Sequence, residues 1–444
     1  MTNPAEGADT PAISALAPAV SPVAPPAAGV PSAPEVAAIR RRTNAVLIAS
    51  QVLGGLGVAT AIALAAVLAQ DIGGSEAVAG LASTASVIGT ALLSVPLAAL
   101  MAARGRRAGL TLAYLIAAAG GAVVVVAAVL GWFPLLLAGM AAFGAGSSAN
   151  LQARFAAADL AEPQHRARTI SLVVWATTIG AVTGPNLAGP AGRSLAGFGI
   201  PQTAGPFVWG TGIFLIAGAL VWFLLRPDPL LTARAIAAGA GDGPDDSGAD
   251  RSVRAGWRAV TASPRALLAL AAITGSHTVM VAVMVMTPVD LSHHGADLEL
   301  IGFVISGHIA GMYAFSPVMG WLADRVGRVA VIGFGMGLLA LATLLAGTSG
   351  GDHTQSAVGL FLLGLGWSAG LVAGSALLTD SVPGAARTAA QGLSDLASNA
   401  AAGAGGALSG VVVAQAGYGW LNALAATLLL PLAVLALRAA RHRG

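Results

Sequence analysis

The chain has 444 residues, 56% of them hydrophobic and only 9% charged, against about 25% charged in soluble domains, so a fold surrounded by water is excluded and lipid is the expected solvent. Cysteine and lysine are both absent, which removes disulfides, thiolate metal sites and the lysine-bearing phosphate loop needed for pumping by nucleotide hydrolysis in this chain. A formal charge of +3, with no basic groove interleaved with aromatics, argues against a nucleic-acid partner.

Residues 1–39 are rich in proline and alanine and have no basic stretch ahead of an apolar core. They are expected to form a disordered tail rather than a signal peptide. A bilayer core takes about 20 apolar residues per helix. Windows of that kind fall at 44–70, 76–101, 108–131, 133–157, 168–190, 206–226, 264–290, 298–320, 329–348, 355–379, 388–414 and 417–438. The expected fold class is therefore an all-α membrane protein with twelve transmembrane helices.

The long polar interruption at 227–263 contains the run GDGPDDSGAD. It is the natural joint between a bundle at 40–226 and a second at 264–438, leaving 439–444 as a terminal tail. With twelve spans, 21 of the 22 arginines fall on one side and only Arg193 on the other. The positive-inside rule then places both termini in the cytoplasm, and the plasma membrane is the expected location. Sliding the chain on itself by 222 residues matches Gly80 with Gly302, Gly89 with Gly311, Ser94 with Ser316, Leu100 with Leu322, Gly105 with Gly327 and Arg106 with Arg328. Span 2 thus repeats in span 8, as expected of two pseudo-symmetric six-helix bundles.

The turn after span 8 reads Gly320-Trp321-Leu322-Ala323-Asp324-Arg325-Val326-Gly327-Arg328. It closely resembles the G-x-L-x-D-R-x-G-R loop of the major facilitator superfamily. In the turn after span 2 the acid and first arginine are replaced by Ala102 and Ala103, while Gly105 and Arg106 remain. The resemblance covers residues 40–440 and implies a transporter with two six-helix halves, not an enzyme. Physically, Asp324 can sit against the positive start of span 5 near Arg168 and Thr169, in one conformation and not the other. Gly320, Asp324, Arg325, Gly327 and Arg328 are accordingly expected to form a conformational latch, asymmetric because its twin is degraded.

Span 5 carries Gly180, Gly184, Pro185 and Gly189 in an order similar to the G-x-x-x-G-P-x-x-G-G motif of the superfamily's antiporters, with Ala188 at one glycine position. Small residues four apart also serve ordinary close packing. The drug/proton antiporters have an arginine in span 4 where this chain has Met140, and span 1 has no carboxylate, Gln51 being its most polar interior residue. Both departures weaken a multidrug reading.

Ionisable residues within spans are functional candidates by default. Asp395 lies about 12 Å into span 11, with Asn399 one turn deeper on the same face. It is a candidate either for carrying a proton or for a structural pair with Arg154. His277 and His308 fall near mid-membrane as candidates for proton relay or solute binding, and Asn150 begins a polar stretch with Gln152 and Arg154 on span 4. The Asp290, His293, His294 and Asp297 segment lacks the spacing of a closed metal site, and no metal or cofactor is expected. No nucleophile–base pair appears on adjacent turns. The leading expectation is a monomeric, bilayer-embedded secondary transporter of a small-molecule solute, coupled to protons and exporting. A facilitator or importer without proton coupling, or a non-transporting receptor-like protein, is the alternative.

Overall fold

A computed structural model of the chain describes residues 32–74, 79–239 and 252–441. Most of the expected tail (1–31), the middle of the expected linker (240–251) and the last residues (442–444) lie outside the described residues. All regular structure among the described residues is helical.

The first half contains α1 (Ala33–Gly73), α2 (Ala79–Arg104), α3 (Arg106–Leu130), α4 (Phe133–Phe143), α5 (Ala145–Asp159), α6 (Arg166–Ser194) and α7 (Gly205–Leu224). Two short helices follow, α8 (Pro229–Gly239) and α9 (Val253–Thr261). The second half begins with α10 (Pro264–His293) and α11 (Leu298–Ile309), which runs through a π-helical turn at Ala310–Ala314 into α12 (Ser316–Val326). It closes with α13 (Arg328–Gly347), α14 (His353–Ser381), α15 (Arg387–Ala416), α16 (Tyr418–Thr427) and α17 (Leu429–Arg441). Eleven helices among the described residues are long and apolar enough to cross a membrane.

The twelfth window, 133–157, is occupied by α4 and α5, which are separated at Gly144. The interruption lies where α2 presses in. The Thr90 hydroxyl donates to the Gly144 carbonyl at 2.9 Å, and a Cβ on Gly144 would stand 2.2 Å from the Ser86 carbonyl oxygen. Only glycine lets the two backbones meet there.

Two segments differ from their expected description. Residues 33–39, expected as tail, form the first turns of α1, because the Glu35 carboxylate accepts the Ser32 backbone N–H at 2.7 Å and its hydroxyl at 2.8 Å, with Pro34 in the first turn. This is an N-terminal helix signal. The 227–263 linker is partly folded onto both halves. Asp228 accepts the backbone N–H of Arg107 at 2.8 Å, and Gly256 and Val260 are the buried positions of α9, Gly256 lying against the Ala389 carbonyl of α15.

Each half has its own apolar core. Leu47, Leu68, Tyr114, Phe143, Phe207 and Phe214 centre the first. The core of the second takes in Phe155, Ala167, Ile170 and Val174 from α5 and α6 of the first half, so the halves share packing there. Outward-facing side chains are apolar as well: Leu92 and Leu130 are 66% exposed and Phe303 is 72% exposed. A surface that leaves such residues uncovered is matched to lipid, and the chain is a multi-pass membrane protein.

A candidate solute site between the two halves

A cavity of about 310 Å³ lies between the halves. Gln51, Asn150, Arg154 and Thr177 line it from α1, α5 and α6, and His277, Tyr313, Trp367 and Asn399 line it from the second half. Four anticipated residues, Gln51, Asn150, His277 and Asn399, are thereby brought together. Asp395 stands behind Arg154, one turn from Asn399. His308 lies elsewhere: it is fully buried between α11 and α14, with Nδ1 2.8 Å from the Leu360 carbonyl. The π-helical turn supplies Tyr313, whose ring meets Trp367 edge-on with centroids 5.4 Å apart.

The tautomer of His277 follows from its neighbour. The Trp367 indole N–H can only donate, and it lies 2.8 Å from His277 Nδ1. Nδ1 is therefore the acceptor, and the ring proton sits on Nε2. Gln51 donates from Nε2 to Thr177 Oγ1 at 2.7 Å, while its Oε1 is buried without a partner.

Below the cavity, toward the arginine-rich face, a buried polar network joins the halves. Arg154 of α5 donates to Asp395 of α15 at 2.6 Å and to Ser375 of α14 at 3.1 Å. Gln152 donates to the other Asp395 oxygen at 2.7 Å. Arg106 holds Asp159 with two bonds of 2.8 and 3.2 Å and reaches across to Gln391 of α15 at 2.6 Å. Arg154 and Asp395 are each about 1% exposed. Removing one partner of such a pair strands a charge, at about 3–5 kcal/mol.

The same face carries the predicted latch residues. Asp324 accepts the backbone N–H groups of Ala167 at 3.1 Å and Arg168 at 2.8 Å, at the first turn of α6. Two free N–H groups and the positive end of the helix dipole meet a carboxylate there. Gly320 permits the approach: a Cβ would lie 2.2 Å from Ser171 Oγ. Arg328 lies 3.8 Å from Asp324 and also pairs with Asp380, which in turn pairs with Arg166 across the interface. Arg325 instead turns outward over the Trp321 ring, and Gly327 takes φ 107° between α12 and α13. Nearby, outside the spans, the Arg40 guanidinium holds the Glu162 carboxyl below the usual carboxylate range.

In α6, Gly180 and Gly184 face α1. A Cβ on Gly180 would come 2.4 Å from the Leu56 backbone nitrogen, and one on Gly184 would come 2.5 Å from Ala59 Cβ. Pro185 and Gly189 are exposed on the other side of the helix. Close packing of α1 on α6 is thus the visible work of the first two residues, and it sets the cavity wall formed by Gln51 and Thr177.

The model of the Major Facilitator Superfamily matches residues 47–293 and 278–443. The chain belongs to the major facilitator superfamily. Among its relatives, the uncharacterized MFS-type transporter YdeG of Bacillus subtilis is 38% identical over 399 residues, covering 89% of this chain and 91% of YdeG. The riboflavin transporter RfnT of Brucella anthropi is 28% identical over 357 residues, 80% of this chain and 85% of RfnT. The fold is also similar to a bacterial homologue of the iron transporter ferroportin in an outward-facing state, with a TM-score of 0.68 and 16% identity, covering 90% of this chain and 99% of that one. Superfamily members are transporters, not enzymes.

Within the superfamily fold, the internal repeat accounts for residues that motif and polarity alone do not single out. Arg106 and Arg328 match at the 222-residue offset, and their carboxylate partners nearly do: Asp159 shifted by 222 falls at 381, one residue past Asp380. Both halves thus hold an arginine at the start of one helix against an acid near the end of the next inward helix. That repeat is a usable signal for Arg106, Asp159 and Asp380. Nothing in the sequence singles out Trp367 or Gln391, whose roles depend on which helix faces which.

Proposed function

We propose that the protein is a secondary transporter that moves a small solute by alternating access, with the solute held in the cavity between the halves and both termini in the cytoplasm. One observation carries the reading: a cavity walled by polar side chains of both halves, closed toward the arginine-rich face by contacts that join one half to the other. Gly320 on α12 meets Ser171 on α6, Gly392 on α15 meets Ala98 on α2, and Arg154 on α5 pairs with Asp395 on α15. Rocking of the halves has to break these contacts to open the cavity on that side.

Asp395 is the coupling group of this reading. Taking up a proton removes its charge, loosens its hold on Arg154 and lowers the cost of separating α5 from α15. The Gly180, Gly184 and Pro185 motif, similar to that of antiporters, supports proton exchange in the export direction. A second reading, a facilitator without proton coupling, is favoured by the completeness of the pairing around Asp395, where both carboxylate oxygens are satisfied.

The test uses purified protein in sealed vesicles with an internal pH dye and a solute panel, riboflavin included because a relative carries that name. Solute-dependent proton movement in the wild type that vanishes in Asp395→Asn supports coupling. Solute movement without proton movement selects the facilitator. A panel broad in charge and size that yields no flux removes the transport reading.

A further inference from the structure

The buried network carries a charge imbalance. Three guanidinium groups, Arg106, Arg154 and the half-buried Arg387, gather around two carboxylates, Asp159 and Asp395. The neighbouring latch charges do not correct this, because Arg166 and Arg328 are matched by Asp324 and Asp380. The unmatched cation is Arg387, which is only partly buried and lies beside Asp159 and Arg106.

Arg154, whose counter-charge is Asp395, nevertheless has a donor to spare. Arg154 uses Nη2 on Asp395 and Nε on Ser375, while its Nη1 is buried with no hydrogen-bond partner, and Arg154 is part of the cavity wall. Orphaned donors on a buried charged group are rare and call for a partner. Across the cavity His277 is held by Trp367 so that its remaining ring nitrogen, Nε2, carries a proton. Asn150 uses Oδ1 to accept the Tyr114 hydroxyl at 3.2 Å, which leaves its amide N–H groups as donors. The polar wall therefore offers donors from Arg154, His277 and Asn150 against the unpartnered acceptor Gln51 Oε1, and one of those donors belongs to a guanidinium.

Beside these donors the wall is aromatic: Trp367 and Tyr313, in edge contact, both face the cavity. At about 310 Å³ the space is at the small end of ligand pockets, which span roughly 300–1,000 Å³.

We propose that the cavity selects a small aromatic monocarboxylate, one or two rings in size, with its carboxylate on Arg154 Nη1 and the His277 Nε2–H and its ring against Trp367 and Tyr313. This rests on the transport reading for its purpose, but the selectivity is a property of the binding site and is measured separately. The bound carboxylate accepts from the unused Arg154 nitrogen without displacing Asp395, which engages a different nitrogen of the same guanidinium. A guanidinium can serve two carboxylates in this way because its N–H groups are fixed in one plane.

The experiment is isothermal titration of the purified full-length protein with 1-naphthoate, its neutral isostere 1-naphthamide, and the cation 1-naphthylmethylamine. The acid is expected to bind at least about tenfold more tightly than the amide, the worth of one charge-assisted hydrogen bond, and the amine not to saturate. Arg154→Gln alone strands Asp395 and risks misfolding, so the decisive variant is Arg154→Gln/Asp395→Asn, which removes both charges together. With folding checked by circular dichroism and gel filtration, this variant is expected to lose the preference for acid over amide. If it fails to fold, Arg154→Lys, which keeps the charge beside Asp395 but loses the fork, is expected to weaken the acid alone. Equal binding of acid and amide, absence of saturable binding of the acid to the wild type, or an acid preference that survives in the folded variant overturns the proposal. Vesicle flux separates the two readings. Flux of a neutral or cationic solute with no acid preference sinks the substrate class and leaves transport standing, whereas selective acid binding with no flux of any solute sinks transport and leaves the site.

Discussion

Replacing Asp324 by alanine removes an acceptor from two backbone N–H groups at the start of α6, at 2.8 and 3.1 Å. Charge-assisted bonds of this kind contribute about 1.5–3 kcal/mol each when buried, and a carboxylate at a helix start about 0.3–1 kcal/mol at the surface. The Asp324 side chain is 10% exposed and the freed N–H groups lie at the arginine-rich face, where water can replace the lost acceptor. A net loss of about 2 kcal/mol is therefore expected, carried by a contact between the halves that exists only while this face is closed, so the closed-to-open ratio falls about thirtyfold. The chain has no cysteine, which gives a silent background for thiol labelling. Ser94 is fully buried on α2 close to Gly392 of α15, and Ser94→Cys reports opening of the interface. In vesicles oriented with the arginine-rich face outward, the reporter is expected to react with a membrane-impermeant maleimide at least about tenfold faster when Asp324→Ala is added. A rate unchanged within about twofold, in protein that retains its circular dichroism, would refute the latch and leave the acid as a helix cap without influence on the conformational equilibrium.

The Arg154 and Asp395 pair is expected to show strong non-additivity: Arg154→Gln alone should lower stability by about 3–5 kcal/mol and Arg154→Gln/Asp395→Asn by clearly less, because the single change leaves a carboxylate buried without its cation. Thermal unfolding in detergent reads this, and equal melting temperatures for the two variants would count against an energetic pairing. Gly180→Leu should separate α1 from α6, since even a Cβ would lie 2.4 Å from the Leu56 nitrogen; overpacking of this kind costs about 1–3 kcal/mol. It should weaken solute binding as well as stability, because Gln51 and Thr177 belong to those two helices, and a variant with native melting and native binding would contradict the account of the cavity wall.

The number of spans, the internal repeat and the position of Asp324 against α6 are legible in the amino-acid sequence, because each depends on local quantities. A span is fixed by about 20 apolar residues in a row, the repeat by one constant offset, and the placement of Asp324 by a carboxylate in a short turn whose pseudo-symmetric target can be named. Boundaries are less legible: Ser32, Pro34 and Glu35 start a helix in what composition alone marks as tail, and α4 parts from α5 because Thr90 and Ser86 of another helix crowd Gly144.

The site divides along the same line. Sequence places Gln51, Asn150, His277, Asp395 and Asn399 inside the membrane, since a polar residue within an apolar run is visible by itself. It also places His308 there, on equal grounds, although that side chain turns to the Leu360 carbonyl and away from the cavity. Depth along a helix is a property of spacing, whereas the direction a side chain faces depends on how the helices rotate and pack against one another. For the same reason only the tertiary structure decides that Arg106 reaches Gln391 across 285 residues of chain, that Trp367 fixes the proton of His277, and that Arg154 keeps one buried nitrogen without a partner.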